Sequence, residues 1–398
     1  MRLALFSTWF RSAVPRLPQA MDFAWLFMVE SMARATLATV ISVQAYDLLK
    51  DGQKVSVLFM GVGLVGLLST LLIPQFLARF RRRHMYVAGV WGLALASFAF
   101  SLHDLTGQML GMVLRVIGAA LLSITLQLYI LDNVRRVDLV RSEPLRLALS
   151  TASWTIGPYL GVWLYTAYGP AAPQAMAIFW SFVLLILFYG LGLPEGPPRR
   201  SRSRNPFASV GRFIAQPRLR LAWMIAFARS CFWTVFFTYA PLLMVTSGMG
   251  AQAGGLLVSL GNISLVSALW FGRMAQGVGV RIVIAAALVG SGVLSIAAGF
   301  SGIAGVPILA AVFLWFGSVS TSALDGVGSI PFLRAVRVHE RAEMSGVYRS
   351  YLDLSDLLPN VIFSFVLLVA PLPIVFTLLG IWLLTAAFIS WRYLPRSM

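Results

Sequence analysis

The chain reads as an all-α polytopic membrane protein with twelve transmembrane helices in two pseudo-symmetric six-helix bundles. Three observations carry this reading: an apolar composition, a series of apolar runs of bilayer length, and basic residues confined to alternate connections. Of 398 residues, 59% are hydrophobic and 11% charged, against about 25% charged in a soluble domain. There is too little polar material to cover water-facing domains of this size, and a disordered chain is excluded because it needs low hydrophobicity and high charge. The single cysteine, Cys231, cannot form an internal disulfide or a multi-cysteine zinc site. His84, His103 and His339 are scattered, so no metal and no cofactor are expected. The net charge of +17 would suit a nucleic-acid surface. Here, however, the basic residues lie in short loops between apolar runs, and no nucleic-acid partner is expected.

A helix needs about 20 apolar residues to cross the hydrocarbon layer while satisfying its own backbone groups. Runs of that kind predict spans at 21–46, 55–78, 85–102, 107–131, 147–168 and 174–193. After a polar break come 220–245, 253–276, 281–300, 304–332, 344–369 and 372–394. With the N-terminus placed in the cytoplasm, 25 of the 31 lysines and arginines fall on the cytoplasmic side. Only Lys50 and Lys54 fall opposite, and the other four lie inside spans. This asymmetry is the positive-inside pattern, which a missed helix would scramble. An integral protein of a bacterial-type inner membrane, monomeric and with both termini cytoplasmic, is the expectation. Residues before the first span show no small-residue cleavage site and read as a cytoplasmic or interfacial leader.

Residues 194–219 divide 1–193 from 220–398, six spans from six. The break opens with PEGPPRRSRSR, a solvated composition. Phe207, Val210, Phe213 and Ile214 then fall on one helical face. Two readings fit: a short helix lying on the inner leaflet with Arg212 and Arg218 toward headgroups, or an ordinary linker. MARATLATV in the first span and FARSCFWTV in the seventh align Arg34, Thr39 and Val40 with Arg229, Thr234 and Val235 at an offset of 195. PQFLARFRRR after the second span aligns with GRMAQGVGVR after the eighth at an offset of 198. Such matches at equivalent places indicate a duplicated bundle.

On these residues the chain resembles the major facilitator superfamily over nearly its whole length. The family's GxLADRxGRR signature is partly present in Pro74 to Arg83, without its leading glycine and its aspartate. The copy after the eighth span keeps Gly272, Gly279 and Arg281, with Gln276 where the acid is expected. Arg115, Gly118, Ala119 and Ala120 resemble the family's arginine-and-small-residue pattern of span 4. In span 5, Ser153, Gly157, Pro158 and Gly161 fit a small-xxx-GPxxG pattern associated with antiporters. The resemblance implies a gating role for Gly157, Pro158 and Gly161; plain close packing of helices fits them equally well.

An ionised side chain at mid-bilayer costs about 2.5–3.5 kcal/mol on insertion scales and should face a cavity or a partner. The candidates are Glu30 and Arg34 in span 1, Arg115 in span 4, Arg229 in span 7, Asp325 in span 10, and Arg349, Asp353 and Asp356 in span 11. By resemblance, spans 1, 4, 7 and 10 line the central cavity, and organophosphate:phosphate antiporters carry a similar arginine pair on spans 1 and 7. That implies substrate binding by Arg34, Arg229 and Arg115, since guanidinium forks carboxylate or phosphate. The alternative is that Glu30 and Arg34, spaced i, i+4, neutralise each other. Glu30 and Asp325 are the proton-coupling candidates. In span 11, Asp353 or Asp356 paired with Arg79, Arg82 or Arg83 would form an inner gate; an Arg349–Asp353 pair within the helix fits the same spacing.

The function expected is secondary active transport of a small anionic or amphipathic solute by alternating access, coupled to protons. A multidrug-type proton antiporter for hydrophobic or cationic compounds is the alternative. An ATP-driven pump is excluded because neither Lys50 nor Lys54 sits in a Gly-Lys-Ser/Thr loop. An intramembrane enzyme or a transporter-fold scaffold are readings of another class, and no nucleophile–base spacing favours the enzyme.

Overall fold

The structure, a computed structural model, describes residues 20–77, 80–133, 136–193, 208–337 and 340–395, and every regular element among them is helical. The leader, Arg79 and the arginine-rich opening of the linker lie outside the described residues.

The first span is two helices, α1 (Ala20–Thr36) and α2 (Ala38–Leu49), broken at Leu37. Spans 2 to 6 are α3 (Gly52–Leu77), α4 (Arg82–Ser101), α5 (Leu105–Asn133), α6 (Arg136–Tyr168) and α7 (Ala171–Gly190). A short helix, α8 (Ala208–Ala215), precedes span 7, α9 (Pro217–Thr246). Span 8 runs through α10 (Gly250–Ile263), a 3₁₀ turn at Ser264–Ser267, and α11 (Ala268–Val278). Span 9 is α12 (Val280–Ile303), and span 10 is α13 (Pro307–Val327) continued by α14 (Ile330–Ala335). Span 11 comprises α15 (Arg341–Tyr348) and α16 (Ser350–Val366), and span 12 is α17 (Ile374–Tyr393).

Ten of these segments are long and apolar enough to cross a membrane, so twelve spans hold only approximately by that criterion. The fifth segment starts about eleven residues earlier than expected because its leading stretch, RVDLVRSEPLR, is charged yet helix-forming. The eleventh is divided at Arg349 and carries two aspartates in α16.

The two halves pack by matching rules. Within them, span 1 lies along span 5 and span 7 along span 11; span 3 lies along span 4 and span 9 along span 10. Between them, span 2 meets span 11, span 5 meets span 8, and α2 meets span 7. A two-fold exchange of the halves interchanges these contacts in pairs and maps the span 1–span 7 contact onto itself, as a duplicated bundle requires. Each half has its own buried apolar cluster, centred on Tyr86, Tyr129 and Phe188 in the first and on Phe232, Phe236 and Phe376 in the second.

At the end opposite the termini the halves are sealed by an apolar contact and a set of hydrogen bonds. There Ala45, Val55 and Leu242 bury one another beside Leu372. Tyr239 OH lies 2.8 Å from Ser56 Oγ and donates to Asn360 Oδ1 at 2.9 Å, and Gln53 Nε2 donates to the Ser364 carbonyl. Toward the terminal end the halves are joined by Thr70 to Asp353 and by Arg349 to Gln127.

The linker helix α8 docks on the second half. Phe213 is buried with Leu219, Phe332, Met344 and Tyr348, whereas Ile214 stays exposed.

Candidate functional site

Between the halves lies a cavity of about 360 Å³ walled by spans 1, 2, 4, 5, 7 and 11. Four charged side chains line it: Arg34 and Arg115 from the first half, Asp353 and Asp356 from the second.

The arginine wall is built on the break in span 1. Glu30 is fully buried, and its Oε1 accepts from Arg34 at 3.3 Å. One turn further the helix is interrupted at Leu37, and Arg115 donates to the Arg34 carbonyl at 3.2 Å. Arg115 therefore ties span 4 to the break itself. The Nε atoms of both arginines are buried without a hydrogen-bond partner, while both side chains contribute to the cavity wall.

Span 5 holds this break from behind. Ser153 donates to the Met28 carbonyl at 3.0 Å. A Cβ at Gly157 would stand 2.6 Å from the Ala35 Cβ, and one at Gly161 would overlap the Thr36 carbonyl. One residue after Pro158, which disturbs the helix's own ladder, the Tyr159 amide donates to Ser259 Oγ of span 8. The GPxxG segment thus touches both the break in its own half and the opposite half.

The acid wall lies on α16. Asp353 accepts from Thr70 at 3.1 Å across the interface, and Asp356 accepts from Thr234 at 2.8 Å. Asp356 remains exposed toward the cavity. Trp154, Phe237 and Trp233 form an aromatic flank that crosses from one half to the other, with ring centroids 5.7 and 5.8 Å apart along the series.

Arg229 does not join Arg34 at this cavity. Its guanidinium donates to Asp325 at 2.6 Å and to the Tyr351 hydroxyl at 3.1 Å, while Trp233 donates to the other Asp325 oxygen. The expected convergence of Arg34 and Arg229 on one midplane point is corrected: Asp325, 96 residues away on span 10, binds Arg229 inside the second half. Span 10 accordingly contributes no lining residue, contrary to the four-span lining that the resemblance implied.

Among the described residues neither arrangement foreseen for span 11 is made. Asp353 and Asp356 bond threonines, and Arg349 bonds Gln127 at 2.9 Å instead of Asp353. Arg83 stacks on Tyr189 at 4.8 Å on the flank of the first half, and Arg82 is buried.

The aromatic flank, Tyr351 and Tyr239 were missed in the sequence. Trp233 was accessible in principle, since it stands i+4 from Arg229 and so on the same face. Among the described residues no group of three or more histidine, cysteine or acidic side chains stands close enough to hold a metal ion.

Residues 23–270 match the sequence profile of the Major Facilitator Superfamily. The chain belongs to that superfamily. No curated protein sequence matches it. Among solved structures, a nucleoside transporter NupG (D323A mutant) superposes with a TM-score of 0.74 at 12% identity, covering 94% of this chain and 99% of that one. A POT family transporter in complex with a thioalcohol-conjugated peptide gives 0.74 at 11%, covering 93% and 94%. A peptide transporter POT in complex with sulfate gives 0.73 at 12%, covering 96% and 95%. At these identities the likeness shows the fold. Membership in this superfamily makes the protein an integral membrane transporter with a small-molecule substrate.

Proposed function

We propose that this superfamily member is a secondary active transporter that moves a small anionic or amphipathic solute by alternating access, coupled to protons. One observation supports the reading most: the side chains of Arg34 and Arg115 line a chamber shared by both halves, and among the described residues no acid of the opposite wall pairs with either of them. Guanidinium groups so placed favour an anionic group. The apolar seal on one side and polar bridges on the other fit a chamber opening toward the termini. The basic asymmetry of the loops supports a cytoplasmic orientation for that side, and a bacterial-type inner membrane is part of the same proposal.

In this reading Arg34 and Arg115 bind the solute, and Arg229 positions Trp233 through Asp325. Glu30, released from Arg34 as the chamber changes access, carries the proton. Asp353 and Asp356 change partners during gating, and Arg79, Arg82 and Arg83 of the opposite half are the proposed new partners. Pro158 faces span 8, where the halves rock, while Gly157 and Gly161 hold span 5 against span 1 so that the two move together.

A multidrug-type antiporter is favoured by a different observation, the aromatic flank beside two carboxylates. Counterflow in proteoliposomes separates the readings. Exchange of organic solutes that carry an anionic group, abolished by Arg115→Gln, supports the proposal; exchange of cationic drugs alone supports the antiporter. No counterflow of any solute would favour a scaffold or an enzyme.

A further inference from the structure

Each half contributes one sign of charge to the cavity: arginines from spans 1 and 4, aspartates from span 11. Among the described residues no ion pair within 4 Å joins the two walls; Arg34 pairs with Glu30 in its own helix, and Arg229 pairs with Asp325 inside the second half. The aspartates are held by neutral threonine hydroxyls. Two opposed charges at membrane depth are thus kept apart across an open chamber, an arrangement that is costly while the chamber lacks a solute bearing the complementary groups.

A plain anion would gain Arg115 but approach Asp353 and Asp356, which repel it. A plain cation would gain the aspartates but approach Arg34 and Arg115. Both are disfavoured by the wall they do not need. A solute with both charges satisfies both walls and at the same time bridges the two halves, so its binding energy falls on the interface that has to move.

We propose that the cavity selects a small zwitterion, with its carboxylate or other oxyanion on Arg115 and Arg34, its ammonium group on Asp356 and Asp353, and a flat apolar body against Trp154, Phe237 and Trp233. This rests on the transporter reading above and narrows its solute class.

The test uses the purified full-length protein and matched sets of probes that differ only in charge. One set is phenylalanine, hydrocinnamate and phenethylamine; another is tryptophan, indolepropionate and tryptamine. A third, with wider charge separation, is para-(aminomethyl)benzoate, para-toluate and para-methylbenzylamine. The expected result is that in at least one set the zwitterion binds about tenfold or more tighter than either singly charged partner. Asp356→Asn then shifts preference toward the anion and Arg115→Gln toward the cation, while Asp356→Glu retains the zwitterion.

Ligand-free melting curves identify variants that fail to fold, in which case Asp353→Asn replaces Asp356→Asn. A singly charged probe binding as tightly as its zwitterion overturns the proposal. So does a response to none of the sets, or equal loss of all three probes in both variants. Counterflow of the bound probe is measured separately: zwitterion-selective binding without exchange overturns the transport reading and leaves the binding class standing.

Discussion

Arg34 and Arg229 occupy corresponding places in the two halves, yet their partners differ in kind. Arg34 pairs within its own helix with Glu30, whereas Arg229 reaches another helix and is held by Asp325 and Tyr351. About a fifth of each side chain of the Arg229–Asp325 pair remains exposed. Breaking a fully buried pair costs about 3–5 kcal/mol, so Arg229→Gln should destabilise by less than that, and adding Asp325→Asn should restore much of the loss. Thermal unfolding of the two variants checks this; an additive double variant would mean that the pair is not the reason for the effect. Arg115→Gln should behave differently, leaving the melting temperature within a few degrees while abolishing counterflow. Glu30→Gln should keep counterflow but lose stimulation by a pH gradient, and undiminished stimulation would remove Glu30 from coupling.

At the level of single elements, span 1 is interrupted where span 5 presses closest. Gly161 leaves no room for a Cβ against the Thr36 carbonyl, so Gly161→Leu should either push span 5 off the break or prevent folding. The expected outcome is loss of transport together with a lowered melting temperature; normal transport would show that the close approach is dispensable. The lengths and loop charges of nearly all spans were legible because apolar runs and arginines are local signals. The break at Leu37 was not, since neither glycine nor proline marks it and the groups that meet it, Arg115 and span 5, are distant in sequence. Glu30 and Arg34 were readable as a pair from i, i+4 spacing. Asp325 as the partner of Arg229 was not, because that contact is created by helix packing. The linker pattern was half legible: Phe213 is apolar-facing as its spacing suggested, but it docks on the second half instead of leaving all its apolar face to lipid.

For the molecule as a whole, the functional account depends on one chamber whose two sides open in turn. The end opposite the termini is closed by Ala45, Val55 and Leu242 and by the Ser56–Tyr239–Asn360 hydrogen bonds. Tyr239→Phe leaves buried partners unsatisfied, a cost of about 1–3 kcal/mol, and should shift the conformational balance toward opening at that end, read as faster labelling of a cysteine placed there. The most direct measurement is transport by a protein in which that seal is tied shut. With Cys231 replaced by serine, cysteines at Gln53 and Ser364, whose residues already touch across the halves, are bridged by a bifunctional thiol reagent. The account predicts that the bridged protein still binds solute from the terminal side but does not transport it, and that cleaving the bridge restores transport. Transport at the unbridged rate with the bridge intact would contradict it.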